Sequence, residues 1–249
     1  MSGTLYVVST PIGNPEDLTF RALRVLRDVQ WIACENPLRT QDLLTQYSIH
    51  TSLTTYHNDN KEEKIPLLLA MLADGKSVAL VCDAGTPVIF DPGSVLISRA
   101  VAAGIRVVPI PGASAALAAA AACALRMETF IVQGFFPDRP GSRKQFLEDI
   151  RDERRTLILL IQPNRLRPIL AALCPVLGNR RLALATNLTM PDEDFLRGTA
   201  AELRRHIDRY SIRGELTLVI EGAKERRVHR GKARRIKKSR LVSRGVYES

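Results

Sequence analysis

The stretch Ser77-Val-Ala-Leu-Val-Cys82-Asp83-Ala-Gly-Thr-Pro87-Val-Ile-Phe-Asp91-Pro-Gly93 decides how the rest of the chain is read. Residues 77–82 form the near-continuous apolar run of a strand buried on both faces. Residues 83–93 then alternate Gly85 and Gly93 with Pro87 and Pro92, a stiff connection in which backbone can come close to a ligand. From Gly93 to Gly104 the apolar spacing predicts a helix. Strand, loop and helix in this order imply a mostly parallel α/β sheet. Ligands in such sheets sit at the carboxyl ends of strands, so the 83–93 loop faces the expected crevice. Asp83 and Asp91 can accept hydrogen bonds from hydroxyls or cations there; a well-made turn with Asp as helix cap would use the same residues without a ligand.

Two other segments repeat the pattern. Residues 5–10 are a short β-rich run leading into Thr10-Pro-Ile-Gly-Asn14, and residues 105–110 lead into Pro111-Gly-Ala-Ser-Ala115. Three strand ends thus bring small residues and backbone groups to one edge, enough to enclose a nucleoside. Neither GxGxxG nor GxxxxGK[ST] occurs at these turns, which argues against NAD and ATP in their commonest forms. An adenosine-like ligand without a pyrophosphate fits the loops better.

Further out, Leu18, Ala22, Val25, Leu26 and Val29 recur at helical spacing behind Glu16 and Asp17. The strand-like run Trp31 to Cys34 carries Glu35 to another strand end, where it could reach the cleft or cap a helix ahead of Asn36-Pro37. The second half begins again, with strands expected at 129–133, 156–161, 181–186 and 215–220. The predicted fold is therefore α/β, with two α/β domains over residues 1–115 and 116–223 and a ligand cleft between them.

Charge is unevenly spread. The chain of 249 residues has a formal net charge of +10, yet residues 224–249 hold 11 Lys and Arg against 2 Glu, which leaves the body almost neutral. That segment has too few apolar residues to bury a face, and its cations suit a polyphosphate such as RNA. Cys34, Cys82, Cys123 and Cys174 form no CxxC pair, so neither a zinc ribbon nor a redox site is expected, and buried thiols in a reducing cytoplasm are. No export signal is evident, and the alanine-rich residues 113–125 are too short to span a membrane and read as a buried helix. His57 lacks a second ligand at metal spacing and reads as closing a turn; no metal is expected.

The motifs Thr10-Pro-Ile-Gly-Asn14, Asp83-Ala-Gly-Thr-Pro87 with Asp91-Pro-Gly93, and Pro109-Ile-Pro-Gly-Ala-Ser114 closely resemble the tetrapyrrole methylase superfamily. Within it they look nearest to the branch that methylates ribose 2′-hydroxyls of bacterial small-subunit ribosomal RNA. Glu35, Tyr56-His57, Gly134-Phe-Phe-Pro137, Arg197-Gly-Thr199 and Arg213-Gly-Glu215 extend the match over residues 4 to about 221.

The resemblance implies S-adenosylmethionine in the cleft, ribosomal RNA or the small ribosomal subunit as partner, and a homodimer. Carried onto this chain, the cofactor walls are Pro11 and Gly13; Asp83, Gly85, Thr86, Pro87 and Asp91; and Pro111, Gly112, Ala113, Ser114 and Ala115. Leu188 and Gly214 close over the adenine. Glu35 and Asp83 are the candidates to orient the acceptor hydroxyl. The chain departs from the branch at Asn36-Pro37-Leu38, which displaces an expected arginine to Arg39, and around Gln162 and Asn187, where charge is lost. Those departures leave open a tetrapyrrole or other small acceptor, or an RNA-binding module without catalysis.

Overall fold

The computed structural model describes residues 2–88, 93–210, 212 and 214–224; Asp91 and the basic segment past Lys224 lie outside the described residues. The first half runs β1 (Thr4–Val8), α1 (Phe20–Asp28), β2 (Trp31–Cys34), α2 (Pro37–Gln46), β3 (Ser52–Thr55), α3 (Lys61–Ala73), β4 (Val78–Leu80), α4 (Gly93–Ala102) and β5 (Arg106–Ile110). Its strands lie in the order β3-β2-β4-β1-β5, all parallel. A parallel sheet needs crossover helices, and these bury both faces. The side chains of α1 and α2 pack with Val8, Ile32 and Ile110 on one face. Those of α3 and α4 pack with Leu5, Val78 and Leu80 on the other.

The second half runs α5 (Ala115–Ala122), β6 (Phe130–Phe135), α6 (Pro140–Arg151), β7 (Thr156–Ile161), α7 (Leu166–Leu177), β8 (Arg181–Thr186), β9 (Asp194–Thr199), α8 (Ala200–Arg209) and β10 (Leu216–Ile220). Here the order is β6-β7-β10-β8-β9, with β6 parallel to β7 but β10 antiparallel to both of its neighbours and β8 antiparallel to β9. The two expected α/β halves are present, each with its own sheet. Between them, α5 lays Ala116, Ala119 and Cys123 against Ile158, Ala183 and Val219 of the second sheet.

Two strands escape the sequence reading, and both are sheet edges. β3 is Ser-Leu-Thr-Thr, and β9 carries Asp194, Arg197 and Gly198; an edge strand tolerates polar residues and glycine that a central strand does not. The alanine-rich helix is half-buried rather than buried, since Leu117 is 57% exposed. Alanine on one stripe lets α5 approach the sheet closely, and nothing among the described residues covers the opposite stripe in full. All four cysteines are free thiols, three of them buried. Burial pushes the Cys34 thiol pKa upward, which suits a packing role.

Candidate functional site

The ends of β1, β4 and β5 are tied together by their own backbone. Thr10 N–H donates to the Gly85 carbonyl at 2.8 Å and Gly85 N–H returns to the Thr10 carbonyl at 3.0 Å. The Thr10 hydroxyl also donates to the Cys82 carbonyl at 3.0 Å. On the other side, the Ser9 and Thr86 hydroxyls lie 2.9 Å apart, and Thr86 Oγ1 donates to the Ala113 carbonyl at 3.3 Å. Gly85 holds this clasp at φ +84°, a left-handed conformation that L side chains rarely adopt. A Cβ on Gly112 would stand 2.9 Å from Ser9 Cβ, so glycine also permits the β1 and β5 ends to meet.

Beyond the clasp lies a cavity of about 320 Å³. Its first-sheet wall is Ile12, Ala84, Gly85, Thr86, Ser114 and Ala115. Its second-sheet wall is Phe135 from β6, residues 160–163 from the end of β7, Leu188 and residues 215–217. Of the candidate cofactor residues, Gly85, Thr86, Ser114, Ala115 and Leu188 line this one cavity. Pro11, Gly13, Pro111, Gly112, Ala113 and Gly214 sit in the same loops without lining the cavity. Gly13 instead marks where the halves touch: a Cβ there would stand 2.6 Å from the Leu188 carbonyl oxygen. Asn14 N–H donates to Thr189 Oγ1 at 2.9 Å across the same junction. Gly214, at φ +85°, leaves room for the Asn187 side chain.

Neither candidate carboxylate lines the cavity; Asp83 immediately precedes the lining residue Ala84, and Glu35 stands at a separate crevice. Asp83 Oδ1 accepts from Asn36 N–H at 3.2 Å, and Oδ2 lies 3.5 Å from Arg39 Nη1. The displaced arginine thus reaches the end of β4. Glu35, at the neighbouring end of β2, is exposed and borders a small crevice with Tyr56, Cys82 and Pro87. The cap of α2 is Asn36, whose side chain accepts from the amides of Leu38 and Arg39, so Glu35 does not serve that purpose. His57 closes a turn: its amide donates to Asn60 Oδ1 at 2.9 Å and its Nδ1 accepts from Asp59 N–H at 3.3 Å.

Sequence reasoning missed Phe135, Leu160 and Thr217 as lining residues. Phe135 stands in the quoted Gly134–Pro137 motif without a cavity role assigned to it, whereas Leu160 and Thr217 are ordinary strand residues whose position counts only once the second sheet is assembled. It also left Arg197 as a bare motif match. Arg197 Nη2 donates to the Ala122 carbonyl at 2.6 Å and Nε to the Cys123 carbonyl at 3.2 Å, with the guanidinium stacked on Phe195. These carbonyls end α5, whose first turn lines the cavity, and a cation suits a helix C-terminus. Among the described residues no group of three or more His, Cys, Asp or Glu could hold a metal ion, and no helix is long and apolar enough to cross a membrane.

Residues 4–204 match the family model described as Tetrapyrrole (Corrin/Porphyrin) Methylases. Among curated proteins, the chain is 43% identical over 224 residues to ribosomal RNA small subunit methyltransferase I of Halalkalibacterium halodurans, covering 90% of this chain and 78% of that protein. It is 40% identical to the protein of the same name from Bacillus subtilis, covering 91% and 77%. Among solved structures, a cobalt precorrin-4 methyltransferase aligns with a TM-score of 0.67 at 20% identity, over 88% of this chain and 94% of that one. A uroporphyrin-III C-methyltransferase from Thermus thermophilus, solved with S-adenosylhomocysteine, aligns with a TM-score of 0.63 at 20% identity, over 88% and 97%. The likeness to these solved structures shows the fold, and by the family match and the curated relatives together the chain belongs to the tetrapyrrole methylase family.

Proposed function

We propose that this protein transfers the methyl group of S-adenosylmethionine to a ribose 2′-hydroxyl of ribosomal RNA in the small subunit. The carrying observation is the cavity itself: a clasp of three strand ends, lined by glycine, alanine and hydroxyl residues, facing an apolar wall from the other half. Its volume of about 320 Å³ falls within the range of about 300–1,000 Å³ usual for small-ligand sites. The curated relatives are named as ribosomal RNA small subunit methyltransferases, which supports the acceptor.

Gly85, Thr86, Ser114 and Ala115 would hold the cofactor from one side and Leu188 from the other, with the Pro11, Gly112 and Gly214 turns shaping the loops. When bound, the cofactor supplies an electrophilic methyl group on a sulfonium. The protein's task is to align an acceptor oxygen with it. Alignment can contribute about 7–11 kcal/mol, whereas a general base adds about 10²- to 10⁴-fold, so positioning dominates. Asp83, which accepts from the Asn36 amide and lies beside Arg39, would orient the hydroxyl and accept its proton; Glu35 is the second candidate at the adjacent strand end.

The first domain in this reading ends at residue 115 and the second runs from 116 to 223. The family resemblance and the exposed Val101 and Leu117 support a homodimer, working in the cytoplasm where its RNA partner is. Residues 224–249 add electrostatic affinity for RNA. Incubation with methyl-labelled cofactor and small subunits from a strain lacking the enzyme should place label in RNA. Intact cofactor binding with label only on an added tetrapyrrole would instead assign a small acceptor.

A further inference from the structure

Helix α1 buries Ala22, Val25 and Leu26 and turns its other side to water. That outer side begins with Phe20, which is 93% exposed, and continues with the exposed Arg21 and Arg24. Residues four apart share one side of a helix, so Phe20 and Arg24 stand together. Beside them β5 is an edge strand, with no neighbouring strand on its outer flank among the described residues. Arg106 and Val108 alternate onto one face of that strand.

A groove of about 240 Å³ runs between α1 and β5, lined by Tyr6 and Val108 together with Arg21, Arg24 and Arg106. Asp28 is the one carboxylate among its described lining residues. The three arginines have no ion-pair or hydrogen-bond partner among the described residues. Other arginines are engaged in the fold: Arg27 donates to the Tyr47 carbonyl, Arg180 to those of Ile150 and Glu221, and Arg197 to that of Ala122. A groove that keeps three free guanidinium groups beside a bare aromatic ring is suited to phosphates and a base.

The groove is also connected to the chemistry. β5 forms one side of it and then runs straight into Pro111–Ala115, so Arg106 lies about 17 Å of strand away from the cofactor cavity. A small acceptor confined to the cavity would not reach it, whereas a strand of RNA would.

We propose that the α1–β5 groove binds the sugar–phosphate backbone of single-stranded RNA, with Arg21, Arg24 and Arg106 on phosphates and Phe20 stacked on a base. This rests on the reading of RNA as acceptor and adds the surface that guides it to the cleft. The test measures affinity for a fluorescently labelled single-stranded RNA oligonucleotide across a salt series, with S-adenosylhomocysteine binding as the folding control. Replacing all three arginines by alanine should lower the slope of log affinity against log salt by about 2, since each phosphate contact on a single strand contributes about 0.7. Replacing them by lysine should restore the slope. Phe20→Ala should weaken binding about fivefold or more and leave the slope as it was. A wild-type protein that binds this RNA with an affinity and slope matched by the triple-alanine variant overturns the groove and leaves the acceptor reading standing. Wild-type protein without RNA affinity overturns both. Loss of dimer by the triple variant, with RNA affinity retained, makes the groove a subunit contact and also overturns the proposal.

Discussion

The two sheets reach one cavity by different routes. In the first, every strand is parallel, so all carboxyl ends fall on one edge and three neighbouring loops are delivered there together. In the second, β10 runs against both neighbours, pairing Leu216 with Ile161 of β7 and with Thr186 of β8. The ends of β7 and β8 therefore share an edge with the start of β10, and a mixed sheet builds a wall as well as a parallel one. The walls differ in substance. The first is backbone, glycine and hydroxyls clasped by hydrogen bonds; the second is largely the apolar surface of Phe135, Leu160 and Leu188. A preformed polar wall suits fixed recognition, and an apolar one suits closure over a ring.

If the first wall does the recognising, Gly85→Val should have the largest effect of any single change. The position demands φ +84°, and a Cβ would already stand 3.4 Å from Ile12 Cγ2, so the branched side chain both strains the clasp and fills the cavity. Titration calorimetry should show no measurable binding of S-adenosylhomocysteine; retained affinity would move the pocket elsewhere. Asp83→Asn comes next, with kcat falling about 100-fold while cofactor affinity holds, because the substitution removes the proposed proton acceptor without changing shape. A drop in cofactor affinity instead would place Asp83 in the cofactor wall alone.

The seating of α5 against the second sheet should register as a smaller loss. Arg197→Ala removes charged hydrogen bonds to the end of α5, each of a class worth about 1.5–3 kcal/mol, and should lower the melting temperature and raise the cofactor KM more than it alters kcat. Equal changes in an Arg197→Lys variant would show that charge alone is insufficient. The mildest effect concerns pH and only the second half. Hydrogen bonds from Arg155 hold the Glu153 carboxyl at about 2, below its ordinary 4.5. Its contribution to stability is complete above 4.5 and is lost as pH falls through about 2. Melting curves of wild type and Glu153→Gln should converge over that interval; parallel curves would show that the pair carries no stability.

The first half was far more legible than the second. Residues 77–82 and 105–110 are apolar runs followed by glycine and proline, and such strands announce both their burial and their ends. The mixed pairing of β10 left no comparable mark, because its sequence Leu-Thr-Leu-Val-Ile would serve as a buried strand in either direction. Edge strand β9 was hidden by Asp194, Arg197 and Gly198, each acceptable only because one flank is open. Within the site, Gly85 and Ser114 were legible from their loops. Gly13 was found for its turn, yet it is the Leu188 carbonyl pressing on it that requires a glycine there.

By itself the sequence determined the alternating architecture, the three small-residue loops and the concentration of positive charge in residues 224–249, since local pattern and composition govern these. Only the tertiary structure decided which residues face the cavity, that Arg39 reaches Asp83, and that Arg21, Arg24 and Arg106 converge on one groove. Those relations join residues distant along the chain, and their distances are set by how sheets and helices pack, which no local pattern encodes.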